Sequence, residues 1–204
     1  MFAAVRGHRG VWLVLSATVA AGSLGVSGCG GGERQDKDEP SGTYKLDVVE
    51  QSFPTTQRLA DRSELKIRVR NADSRPVPNV AVTIGGERGD RAFGKANEQE
   101  GLADPVRPIW ILDVGPEGGQ TAFTNTWSLG RLGAGQEKEF RWRLTAVRPG
   151  THTIEYRVAA GLHGKAKAQS PTGQVPGGTF TVRISDKPAK QRVDDDGNVV
   201  EAKS

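Results

Sequence analysis

Glu139-Phe140-Arg141-Trp142-Arg143-Leu144-Thr145 decides the fold of this chain, because large apolar side chains fall at every second position with charged ones between them. A strand sends successive side chains to opposite faces, whereas a helix would scatter this pattern around its axis. The stretch therefore predicts a half-buried strand with Phe140, Trp142 and Leu144 inward and Arg141 and Arg143 in water. Four more segments read the same way: Glu64–Arg70, Asn79–Ile84, Thr153–Val158 and Thr179–Ile184. Weaker strands are expected at Lys45–Phe53, Pro108–Val114 and Thr121–Leu129.

Turn chemistry separates these runs. Ser74-Arg75-Pro76-Val77-Pro78 precedes one strand, Gly133-Ala134-Gly135 another, and Pro149-Gly150 a third. The 204 residues include 27 glycines and only 6% aromatics, a balance that suits a turn-dense β domain. Seven or eight strands with no long helix predict an all-β antiparallel sandwich over residues 44–185, with a closed barrel as the alternative. A polar tail follows from 186 to 204, where Asp194-Asp195-Asp196-Gly197-Asn198 suits a tight turn between Arg192-Val193 and Val199-Val200.

Val69-Arg70-Asn71-Ala72-Asp73 followed by Val77-Pro78-Asn79-Val80-Ala81-Val82 resembles the opening hairpin of bacterial Ig-like conserved-repeat domains. Leu129-Gly130-Arg131-Leu132-Gly133-Ala134-Gly135 and Arg148-Pro149-Gly150-Thr151-His152-Thr153-Ile154 carry the same resemblance, which extends to the adhesion-related group called CARDB. It implies an Ig-like sandwich of seven or eight strands, a fold that hosts many unrelated functions. Gly85–Val106 departs from it as a polar insertion longer than a hairpin loop.

The amino terminus carries an address. Arg6, His8 and Arg9 lead into the apolar run Val11–Ala21, which is short of the ~20 residues that span a bilayer. Val26-Ser27-Gly28-Cys29 then resembles the lipobox of bacterial lipoproteins. The resemblance implies cleavage between Gly28 and Cys29, diacylglyceryl transfer to the Cys29 thiol, and attachment to the extracytoplasmic face of the cell membrane. Two acyl chains anchor stably where one holds only marginally. Residues 29–43 read as a flexible polar linker, with Gly30–Gly42 reaching ~40 Å when extended.

Charge and composition exclude several function classes. The formal charge of +4 falls to +2 once Arg6 and Arg9 are removed, far from the basic stripe that nucleic acid demands. His152 and His163 are the only histidines after the signal segment, so neither a metal nor another cofactor is expected. An EF-hand beginning at Asp194 would place Val199 at the sixth position, where glycine is needed. The chain has no G-x-S-x-G elbow, and Gly115-Pro116-Glu117-Gly118-Gly119 lacks the lysine of a P-loop.

The binding candidates are Trp127, read as a stacking platform or a core residue, and the strand cations Arg68, Arg70, Arg141 and Arg143. With Lys66, Arg157 and Arg183, these cations would form one positive face if their strands shared a sheet, and would meet an anionic envelope polymer or another envelope protein. The expected function is a non-catalytic cell-envelope binding or adhesion module. Gly85–Val106 and the Trp127 loop are its principal contact regions. The alternatives are a lipoprotein handing a small ligand to a membrane transporter and, further off, an envelope hydrolase with paired carboxylates.

Overall fold

The computed structural model describes residues 38–86, 91–94, 107–188, 190–197 and 199–201. All of their regular structure is β. The long strands are β1 (Gly42–Ser52), β3 (Arg62–Asn71), β4 (Ala81–Gly86), β6 (Trp110–Val114), β8 (Glu137–Ala146), β9 (Gly150–Ala159) and β11 (Gly177–Pro188). Shorter ones are β2 (Thr56–Leu59), β5 (Phe93–Gly94), β7 (Thr126–Ser128) and β10 (Ala166–Gln169). Arg192-Val193 and Val199-Val200 do pair, in a tail hairpin of β12 (Gln191–Val193) and β13 (Val199–Glu201).

Two sheets make the sandwich, ordered β10-β1-β3-β8-β6-β5 and β2-β11-β9-β4-β7. Among the seven long strands, one sheet runs first-second-fifth-fourth and the other third-sixth-seventh. That is the Greek-key order of an Ig constant-type sandwich. The disulfide that often joins the two sheets of such domains is impossible in a chain with one cysteine. Packing takes its place: Trp142 stacks on Phe140 at 5.9 Å and meets Trp127 edge-on at 5.5 Å. Leu65, Ile67, Leu144, Ile154 and Ile84 fill the space between the sheets, each stabilising by ~1.5–3 kcal/mol relative to exposure.

The architecture corrects the expected strand list in two ways. The described residues hold eleven sandwich strands rather than seven or eight, and the sheets are mixed rather than purely antiparallel. β1 with β10, β2 with β11 and β5 with β6 pair in parallel. The added strands are two to four residues long, too short for a period of two to register.

Part of the 85–106 insertion belongs to the sandwich. Phe93 and Gly94 pair with Trp110 and Ile111, and Phe93 and Ala92 are buried. Gly94 sits so close to Pro108 that a Cβ would lie 2.7 Å from its Cγ. Residues 87–90 and 95–106 lie outside the described structure.

Register defines two poles. One gathers the start of β1, the 72–80 connection, the 129–136 turn and the 160–165 loop, through Gly42 N–H to Lys165 O, Val77 N–H to Leu132 O and Asn79 N–H to Ala160 O. This is the tether pole. The far pole gathers residues 53–55, 60–61, 107–109 and 147–149, through Ala60 N–H to Ala146 O, Val147 N–H to Ile109 O and Arg183 N–H to Thr55 O.

Candidate functional site

A groove of about 780 Å³ opens at the tether pole, between Pro40, Pro78, Phe123, Leu129 and Leu162. Its walls are turns held by short hydrogen bonds. Thr121 N–H donates to Thr126 O at 2.8 Å and Thr126 N–H to Phe123 O at 3.2 Å, with Asn125 at φ +54° closing the turn. This leaves Phe123 at the tip, 43% exposed. Gly118 packs directly on the end of β7, where a Cβ would fall 1.8 Å from Ser128 O. The Ser128 hydroxyl donates to Asn79 Oδ1 and accepts from Gly130 N–H. Glu39 forms the groove's rim beside Pro40, its carboxylate turned into the 161–166 loop.

The second candidate is the outer face of the larger sheet. Arg68, Arg70, Arg141 and Arg143 do share it, with Lys66, because β3 and β8 are neighbours. Register interleaves them with acids. Arg70 lies opposite Glu137 and Asp47, Arg68 opposite Glu139 and Glu50, and Arg143 opposite Glu64. Arg68 bridges Glu50 at 2.6 Å and Glu139 at 3.2 Å, while Arg70 meets Asp47 at 2.9 Å. The Arg141 hydrogen bond holds the Glu139 carboxyl below its ordinary range; burial pushes the other way, and Arg68 adds to the lowering. These five cations thus lie among five carboxylates on β1, β3 and β8, so they do not form an unbroken positive patch. Arg157 and Arg183 belong to the other sheet, on β9 and β11, whose outer positions include Thr151, Thr153, Thr179 and Thr181.

Trp127 is not an exposed platform. It is 1% exposed, packed between Phe93 at 5.9 Å and Trp142 at 5.5 Å. Its polar neighbours suggested a surface loop, but they are themselves buried and bonded: Thr126 to Thr83 and Ser128 to Asn79. His152 is also structural, its ring edge-on to Trp110 and its Nε2 3.1 Å from Arg148 O. Among the described residues no group of three or more His, Cys, Asp or Glu side chains is placed to hold a metal ion. Gly28 and Cys29 lie outside the described residues.

No family model matches this chain, and no curated protein does. Among solved structures, the CARDB domain of a Pyrococcus furiosus protein in complex with di-metal ions aligns at 16% identity and a TM-score of 0.43, over 71% of this chain and 96% of that one. The solution structure of that domain gives 15% and 0.44, over 71% and 99%. A segment of native Escherichia coli alpha-2-macroglobulin gives 13% and 0.43, over 73% and 18%.

Proposed function

We propose that this chain is a lipid-anchored protein of the bacterial cell envelope, whose sandwich is a non-catalytic binding or adhesion module on the extracytoplasmic side. The observation that carries the anchor is the sequence Val26-Ser27-Gly28-Cys29 behind an apolar run too short to span a bilayer. The non-catalytic reading draws on the carboxylates. A general acid needs a carboxyl whose pKa is pushed up toward neutrality. Among the described residues, Glu39, Asp73 and Glu139 are shifted down instead: burial pushes Glu39 and Asp73 up, but hydrogen bonds outweigh it, and the Arg141 hydrogen bond lowers Glu139. The interleaving of cations with acids across β1, β3 and β8 favours a protein or neutral partner over an anionic polymer.

The test is metabolic labelling with an alkyne palmitate analogue, comparing the wild type with Cys29→Ala. Label on the wild type alone, with an N-terminal fragment beginning at a diacylglyceryl-modified Cys29, is the expected result. Label retained by Cys29→Ala, or an unmodified N-terminus, overturns the anchor.

The groove favours one second reading, capture of a small ligand. Its volume of about 780 Å³ falls within the ~300–1,000 Å³ of small-molecule sites. A ligand that raises the melting temperature of the wild type but not of Phe123→Ala would support that reading.

A further inference from the structure

Glu39 stands three residues ahead of β1, at the end of a charged polar segment, yet it is only 8% exposed. Its Oε2 accepts hydrogen bonds from Leu162 N–H at 2.7 Å and His163 N–H at 2.9 Å, and its Oε1 accepts from Ala166 N–H at 2.8 Å. Converging backbone N–H groups of this kind form a nest that binds anions. Burial pushes the carboxyl pKa up, but the amides of Ala166, His163, Leu162 and Lys165 outweigh it and hold the group below its ordinary 4.5.

The loop is shaped to this carboxylate. A Cβ at Gly161 would lie 2.3 Å from Glu39 Cδ and 2.4 and 2.5 Å from its oxygens, so the acid fits only because position 161 is glycine. Gly164 turns the loop at φ +78°, a conformation L side chains avoid. The Asn79 N–H to Ala160 O bond ties one end of the loop to the sandwich, and the Gly42 N–H to Lys165 O bond ties the other. Pro40 biases Glu39 itself toward extended backbone.

We propose that the 161–166 loop is a carboxylate receptor whose ligand is Glu39 of the same chain, and that this lock mounts the sandwich with its tether pole toward the membrane. The proposal rests on the lipid anchor at Cys29 argued above. Nine residues lie between Cys29 and Glu39, a span of ten residue steps, so the lock lies at most ~33–36 Å of chain from the lipid. The Phe123 groove then lies on the membrane side, and the far pole faces the envelope space.

The test uses the lipidated chain in phosphatidylethanolamine–phosphatidylglycerol vesicles. Single cysteines replace Ala122 at the tether pole or Val147 at the far pole, each carrying a fluorophore, and a quencher sits on the lipid headgroup. Stronger quenching at 122 than at 147 is expected, with the difference reduced in Glu39→Gln, which frees three more residues of tether ahead of β1. Gly161→Ala, which evicts the carboxylate without altering it, must reproduce that reduction. In both variants the amides of Leu162, His163 and Ala166 should exchange with deuterium about tenfold faster, the factor given by ~1.4 kcal/mol, while those of β3 and β8 stay protected.

Equal quenching at both positions on sedimenting vesicles overturns the mount and leaves the anchor standing. Protein that fails to sediment with vesicles overturns both. Unchanged amide exchange in Glu39→Gln overturns the lock itself.

Discussion

Replacing Asn71 should unfasten the tether pole. Asn71 ends β3 and is fully buried. Its Nδ2 donates to Arg75 O at 2.8 Å and to Leu132 O at 3.0 Å, while its Oδ1 accepts from Asp73 N–H at 2.9 Å. One side chain therefore ties the 72–80 connection to the 129–136 turn, beside the backbone bonds Asn71 N–H to Gln136 O and Gly135 N–H to Asn71 O. Asn71→Ala removes three bonds, each with a net contribution of ~0.5–1.5 kcal/mol, so a loss of ~2–4 kcal/mol is expected. For a domain of about 150 residues that lowers the melting temperature by ~5–15 °C. Asn71→Asp keeps the shape but turns both donors into acceptors facing two carbonyl oxygens, and buries a charge with no cation opposite. It should cost more than alanine at neutral pH, and recover in part at acid pH, where the protonated carboxyl can donate once. Urea unfolding followed by tryptophan fluorescence at two pH values measures both effects. An Asn71→Asp variant within ~0.5 kcal/mol of wild type would refute the donor assignment, since surface-like tolerance is incompatible with it.

Three further outcomes follow from the same geometry. Trp110 Nε1–H donates to the buried Gln57 Oε1 at 2.7 Å, whereas Trp142 Nε1 has no hydrogen-bond partner among the described residues. Trp110→Phe should therefore destabilise more than Trp142→Phe by ~1–3 kcal/mol, and equal costs in urea unfolding would contradict this. Glu39 and Glu139 have pKa values below the ordinary 4.5, so the folded state binds their protons less readily than the unfolded chain. Their stabilisation is present above about pH 4.5 and is lost as pH falls through the lowered values, so a Glu39→Gln/Glu139→Gln double variant should show a shallower stability loss between about pH 6 and about pH 3. On the charged sheet face, Arg68→Ala should cost under ~1 kcal/mol, as exposed ion pairs do. Glu50→Gln with Glu139→Gln should instead create salt-sensitive retention on anionic vesicles, and strong retention by the wild type through this face would contradict the pairing of Arg68 with these acids.

The long strands were legible because a period of two survives wherever one face is buried and the other wet, as in Phe140, Trp142 and Leu144 against Arg141 and Arg143. Short margin strands were not, since Phe93-Gly94 offers a single alternation and owes its pairing to Trp110-Ile111. Between the two readings of Trp127 the structure gives the core, which the sequence could not decide because its polar neighbours find their partners 43 and 49 residues away, at Thr83 and Asn79. The outward cations were each placed correctly on their strands, but their opposing charges depend on cross-strand register, which no single strand encodes. Glu39 was hidden among Glu33, Asp36, Asp38 and their neighbours. The faint signal was an acid-proline pair just ahead of the first strand, together with the glycine-bracketed Gly161-Leu162-His163-Gly164.

The insertion at 85–106 must now be divided before its role is sought. Removing it whole would take Ala92 and Phe93 out of the core, where Phe93 lies 6.4 Å from Trp110 and 5.9 Å from Trp127. Truncating a buried phenylalanine alone costs ~3–5 kcal/mol, enough to threaten a domain of ordinary stability. Loss of partner capture by that deletion would then report unfolding as readily as a lost contact. Gly94 abuts Pro108, so residues 95–106 can be replaced by a short glycine linker that spares β5 and its pairing with β6. Capture lost in that variant, with the melting temperature held, places the partner on the 95–106 segment. Capture retained there but lost in Phe123→Ala places it in the groove at the tether pole, on the side the Glu39 lock would turn toward the bilayer.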